Sequence, residues 1–257
     1  MSRDGGTSDS SDFPYLSEEE RIRFPDPGTA DPHGILCVGA NLSPGVLLSA
    51  YSQGIFPWFS EGEPILWWSP NPRFVLYPRE IRVSESMRKV LRKGVYRLTL
   101  DKDFRGVIEA CASVPRPGQR GTWITRDMIE AYVRLHELGF AHSVEAWNES
   151  GLAGGLYGVS LGRLFCGESM FSRTPNASKS ALIALAWRLA DEGFPVIDSQ
   201  VRTEHVASMG GRNIPRPRYL DLVRSCLELP GLRGSWGELL PGFPDSAGWR
   251  STILRRG

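Results

Sequence analysis

Between residues 141 and 201 the spacing of apolar positions changes period twice. Segments 141–147, 152–159 and 164–170 read as strands, and their connections, Asn148-Glu149-Ser150-Gly151 and Ser160-Leu161-Gly162-Arg163, have hairpin character. Leu182, Leu185, Ala186 and Leu189 then recur at helical spacing over 177–192, with Asn176 as the cap and Gly193 as the stop. Segment 195–201 returns to a buried strand, and a short helix starts at Thr203 and Glu204. The order β-β-β-α-β-α predicts an α+β or α/β layer around one mixed sheet.

The first half is less regular. Ser43 and Pro44 open a helix that runs through Leu47, Leu48 and Tyr51 to Gly54. An aromatic and proline-rich stretch follows, 55–59 and 66–73. It is too irregular for a strand meander and reads as a joint between a small N-terminal domain (13–73) and a larger one (74–257). Segment 84–94 is a short basic helix. Thr125 caps another, with Ile129, Tyr132, Val133 and His136 on one face and Gly139 ending it. Residues 1–12 are Gly, Ser and Asp with almost nothing apolar, and read as a disordered tail.

Charge adds to this picture only when it is located. The 257 residues carry a formal net charge of +1, which excludes a uniformly basic nucleic-acid binder. The balance is a cancellation: −5 over the first 32 residues and +6 over the rest, with +5 inside 79–97. The longest apolar run has seven residues (181–187), against about 20 for a membrane helix, and the polar N-terminus is no secretory signal. Four separated cysteines form no CxxC pair and read as small buried thiols of a reducing cytoplasm. Four scattered histidines lack ligand spacing, so no catalytic metal is expected.

Few residues stand out chemically. Walker A is absent, and Gly154-Gly155-Leu156-Tyr157-Gly158 does not spell GxGxxG and lies between strands. Glu168, Asp198 and Gln200 are polar where a core strand should be apolar. On a strand, residues i and i+2 share a face, so Asp198 and Gln200 would look into one cavity. They are either a strand end meeting solvent or a pair that holds a nucleophile in place. Trp58, Trp67, Trp68 and Trp123 are either core of the joint or a stacking and binding surface. The basic segment is either a solvated face or a phosphate-binding one.

Tyr51-Ser-Gln-Gly-Ile-Phe-Pro-Trp-Phe59, Ile65-Leu-Trp-Trp-Ser-Pro70, Gly121-Thr-Trp-Ile-Thr125, Leu135-His-Glu-Leu-Gly139, Gly154-Gly-Leu-Tyr-Gly158, Leu164-Phe-Cys-Gly-Glu-Ser-Met-Phe-Ser-Arg173 and Asn176-Ala-Ser-Lys179 resemble the leucyl/phenylalanyl-tRNA–protein transferases, in order and over about 24–219. The resemblance implies a small N-terminal domain joined to a larger domain similar to the GNAT acetyltransferases. It implies transfer of Leu or Phe, less well Met, from aminoacyl-tRNA to proteins that begin with Arg or Lys, marking them for the bacterial N-end rule pathway. A cytoplasmic monomer without cofactor follows.

By similarity, Gln200 positions the attacking amine or the ester with Asp198 beside it, and Glu168 holds the cationic acceptor terminus or the ester end. Trp58 and Trp123 contribute to the aminoacyl and adenosine site, with Tyr51, Leu156 and Leu185 as further pocket residues. Arg82, Arg88, Lys89, Arg92 and Lys93 line the path of the tRNA acceptor stem. Whether Asp198 takes the proton or a ribose hydroxyl shuttles it stays open. An acyl-CoA-dependent acetyltransferase would need a pyrophosphate-binding turn, which 171–179 lacks. A non-enzymatic RNA-binding module would leave Asp198 and Gln200 unexplained.

Overall fold

The computed structural model describes residues 13–113 and 123–243; the tail expected at 1–12 lies outside them. The fold is α+β. The chain begins with β1 (Ile35–Val38), α1 (Pro44–Ser52), β2 (Phe56–Pro57) and β3 (Leu66–Trp68). It continues through β4 (Arg73–Leu76), α2 (Glu85–Lys93), β5 (Arg97–Leu100), α3 (Phe104–Ser113) and α4 (Arg126–Glu137). Next come β6 (Ala141–Asn148), β7 (Gly151–Leu161), β8 (Leu164–Ser172), α5 (Ala177–Asp191) and β9 (Val196–Asp198). The described part closes with α6 (Glu204–Ser208), β10 (Arg212–Ile214), α7 (Arg216–Leu227) and α8 (Trp236–Leu239).

Two sheets form. The small one has the order β1-β3-β2, and the large one runs β10-β4-β9-β8-β7-β6-β5. All neighbours in the large sheet are antiparallel except β8 and β9. The β-β-β-α-β-α order read from periodicity is β6 to α6, with both hairpins in place. The aromatic stretch does contain strands: it supplies β2 and β3 of the small sheet. The strands of that sheet are two to four residues long, too short for alternation to show in the sequence. Strands β4, β5 and β10 and helices α3 and α7 had no sequence signal of comparable strength.

Helix ends follow local chemistry. Ser84, Thr125 and Thr203 each accept a hydrogen bond from the backbone N–H three residues on, at Met87 (3.3 Å), Met128 (3.3 Å) and Val206 (3.2 Å). Two expected caps work differently. Ser43 gives its hydroxyl oxygen to the Leu16 N–H (3.0 Å), tying the N-terminal stretch onto α1. Asn176 is left-handed (φ 71°) without a side-chain cap bond, and the Ser172 hydroxyl receives the Ser178 N–H at 2.9 Å instead.

The large sheet is covered on both faces. One core joins α1, α3, α4 and the small sheet to Tyr157, Val159 and Cys166. The other joins α2, α5 and Trp236 to Leu156, Phe165 and Ile197. Alternation along β7 and β8 deals neighbouring residues to opposite cores. The glycine cluster on β7 serves this close packing. A Cβ on Gly154 would lie 2.6 Å from Ala177 Cβ, and one on Gly158 would lie 2.2 Å from the Cys166 carbonyl.

Candidate active site

The parallel pairing of β8 with β9 ends at Cys166 and Asp198, while β8 runs on to Ser172. The two strands therefore part in the middle of the sheet. Glu168 stands just past the last pair on β8, at an irregularity in its pairing with β7. Beyond β9 the backbone turns instead of continuing: the Val201 N–H donates to the Ser199 carbonyl and Gln200 is left-handed (φ 56°). Strand alternation thus does not relate Asp198 to Gln200, and Val201 is exposed rather than core.

A different linkage joins them. The Gln200 backbone N–H donates to Asp198 Oδ1 at 2.9 Å, and the Gln200 side-chain Nε2 donates to Glu168 Oε1 at 2.8 Å. Asp198 is fully buried. Arg73 of β4 grips it from two sides, Nε to Oδ1 at 2.8 Å and Nη2 to Oδ2 at 2.6 Å, and the Tyr219 hydroxyl of α7 donates to Oδ2 at 2.7 Å. The Arg73 guanidinium also lies 4.4 Å from the Tyr219 ring centre and 4.7 Å from that of Phe56. A buried charge needs such partners on all sides.

Glu168 keeps part of its surface at the parting of the strands. Its second oxygen accepts the Tyr132 hydroxyl of α4 at 3.1 Å, and Tyr132 is in turn bonded to the Tyr51 hydroxyl of α1. Burial raises the Glu168 carboxyl to about 7, opposed by the hydroxyls of Tyr51 and Tyr132 and the Gln200 amide and aided by the charge of Asp198. Burial also holds Tyr51, Tyr132 and Tyr219 well above the usual phenol range.

Profile comparison matches residues 75–224 to the leucyl/phenylalanyl-tRNA protein transferase family and residues 40–71 to the N-terminal domain of the same family. The leucyl/phenylalanyl-tRNA–protein transferase of Myxococcus xanthus (strain DK1622) is 55% identical over 223 residues, covering 87% of this chain and 95% of its own. That of Syntrophus aciditrophicus (strain SB) is 59% identical over 215 residues, covering 84% and 90%. The chain belongs to the leucyl/phenylalanyl-tRNA–protein transferase family. Among solved structures, L-PGS from Bacillus licheniformis is similar over 63% of this chain and 54% of its own, at 10% identity and a TM-score of 0.35, too low to carry weight.

Within this transferase the other expected residues divide between the two faces of the large sheet. Tyr51 is buried in the core on the α4 side, and Trp58 and Trp123 pack partly buried against that core. The Trp58 and Trp68 rings are 5.3 Å apart, and the Trp58 carbonyl accepts the Trp68 indole N–H at 2.6 Å. Leu156 and Leu185 lie on the opposite face, buried between the sheet and α5 with Leu182 and Ile197. Of the basic residues, Arg82, Lys89, Arg92 and Lys93 are exposed and Arg88 half-buried, with Arg92 paired to Glu85 at 2.9 Å. Met87 and Leu91 anchor α2 on the α5 side.

Sequence reasoning missed Arg73, Tyr132 and Tyr219 as parts of this network. Arg73 carried one available signal: an arginine opening an apolar run, Arg73-Phe-Val-Leu76, needs a buried acid. Among the described residues no cluster of His, Cys, Asp and Glu suits a metal, and no helix is long and apolar enough to cross a membrane. An open depression of about 580 Å³ beside Gly139 and Arg233 contains no residue of the network.

Proposed function

We propose that this transferase moves Leu or Phe, less well Met, from aminoacyl-tRNA to the N-terminal Arg or Lys of acceptor proteins, as a cytoplasmic monomer without cofactor or metal. The observation that carries this reading is the chain of Gln200, Glu168 and Asp198 at the parting of β8 and β9. The aminoacyl ester is already activated, so the reaction needs positioning, proton removal and oxyanion donors rather than ATP. The Gln200 amide supplies a fixed donor, with Asp198 as its anchor. A GNAT-like second domain, meeting a smaller first one near residue 73, fits the element order around the parallel pair.

The aminoacyl side chain enters between the sheet and α5, where Leu156 and Leu185 line the apolar layer. Such a slot separates substrates by about 1–3 kcal/mol per methylene. This supports a range covering Leu, Phe and Met, while β-branched side chains clash near Cβ. Trp58 and Trp123 stack on the 3′ adenosine from the other side. Residues Arg82, Arg88, Lys89, Arg92 and Lys93 contact acceptor-stem phosphates, which carry no sequence information. Marking acceptors for degradation follows from the family.

The test is transfer of labelled Leu or Phe from charged tRNA to a protein with N-terminal Arg. Transfer of either is expected. No transfer of either amino acid refutes the reading, and heat on mixing with acetyl-CoA would favour an acetyltransferase instead.

A further inference from the structure

We propose that Glu168 is the group that takes the proton from the acceptor α-amine, and that Tyr132 and Tyr51 are positioning residues that hold its carboxylate ready. This rests on the transferase reading above. Two carboxylates stand near the reaction, and their surroundings differ. Asp198 has no exposed surface, and both its oxygens are taken by Arg73, Tyr219 and the Gln200 N–H. An incoming ammonium has no lone pair to reach there. Asp198 acts through Gln200, as an anchor. Glu168 has one bond to each oxygen, from Gln200 and Tyr132, and keeps an accessible side at the parting of the strands.

The tyrosines work only as donors. Tyr51 and Tyr132 are at most 1% exposed, come from different helices, and meet hydroxyl to hydroxyl. Burial makes their anionic forms unfavourable. The chain therefore runs in one direction, Tyr51 to Tyr132 to Glu168, and stabilises the carboxylate against its burial. The remaining ionisable groups nearby do not compete. Cys166 on β8 is a buried thiol held well above its usual range, Asp198 on β9 is matched by Arg73 on β4, and the Tyr157 ring on β7 meets that of Tyr132 edge to face. That leaves Glu168 titrating at about 7, below an acceptor amine of roughly 8, a small gap for general base catalysis.

The step balances without a further reactant. The Glu168 carboxylate takes one proton from the α-ammonium. The free amine attacks the ester carbonyl and the C–N bond forms. The C–O bond to the ribose breaks, the nitrogen loses its second proton to the leaving ribose oxygen, and Glu168 returns its proton to water.

The experiment is single-turnover transfer from Phe-tRNA to a peptide beginning with Arg, measured from pH 5.5 to 8.5. The wild-type rate should rise along an acid limb centred near 7. Tyr132→Phe removes a donor to the carboxylate and Tyr51→Phe removes the hydroxyl behind it, and each should move that limb up by roughly one pH unit. Glu168→Gln should lose at least about a hundredfold on the high-pH plateau while tRNA affinity changes less than a few-fold. A limb that stays in place in a folded Tyr132→Phe or Tyr51→Phe protein, as titration of the acceptor amine alone would give, overturns the assignment and leaves the transferase reading standing. No transfer by the wild type overturns both.

Discussion

Arg73 and Asp198 form a buried ion pair whose partners are 125 positions apart in the chain. Removing one partner strands the other charge in the core, at a cost of about 3–5 kcal/mol. Arg73→Ala should therefore lower unfolding free energy by that amount in urea melts. The double substitution with Asp198→Ala should cost less than the sum of the singles, because the stranded charge is gone. Glu168 makes a second, opposite prediction. Its folded carboxyl binds a proton up to about pH 7, against 4.5 ordinarily. The folded state thus holds more protons than the unfolded one between these values. Its contribution to stability is complete below about 4.5 and is lost as pH rises through 7. Glu168→Gln mimics the protonated form, so its stability relative to wild type should climb from pH 5 to pH 8. A difference that stays flat across that range contradicts the raised carboxyl. Glu168, Asp198 and Gln200 could be picked from the sequence because each interrupts an apolar run. Tyr132 could not be assigned a role, since an aromatic on a helix face looks like any core residue until its hydroxyl has a partner.

Helix α2 shows what sequence resolves well. Its Ser84 cap, its Met87 and Leu91 anchor and its left-handed Gly94 stop (φ 62°) all lie within eleven residues. Each is a local rule, so the boundaries expected at 84–94 hold. The same helix carries the charge that the tRNA reading uses. Arg88→Ala and Lys89→Ala should weaken tRNA binding and lower the slope of log K against log salt by about 1 for each lost phosphate contact. Filter binding between 50 and 200 mM salt measures this, and an unchanged slope removes α2 from the interface. Elements defined by distant pairing were illegible by comparison. Strands β9 and β10 have three residues each, and β2 has two. They exist because a neighbour supplies hydrogen bonds, not because their own pattern demands extension. For the same reason the strand expected over 195–201 stops at Asp198. Past that point the chain turns to bring the Gln200 amide to Glu168, and tertiary hydrogen bonds override alternation.

In the described residues the large sheet is split near its middle, with one core on each face and the polar network at the split. The mixed sheet and the α+β class were legible because β6 to β8 and α5 are long and periodic. The order of the strands was not, since nothing local places β4 between β9 and β10. That placement has a consequence for biosynthesis. Strand β4 emerges from the ribosome early, yet the strands that flank it come roughly 120 residues later or more. At about 5–20 residues per second, Phe74, Val75 and Leu76 wait on the order of 10 s with both edges open, and Arg73 waits as long for its acid. The β10-β4-β9 end is thus the last part of the sheet to close, and until β9 is made the nascent chain offers an unpaired apolar strand for chaperones to guard.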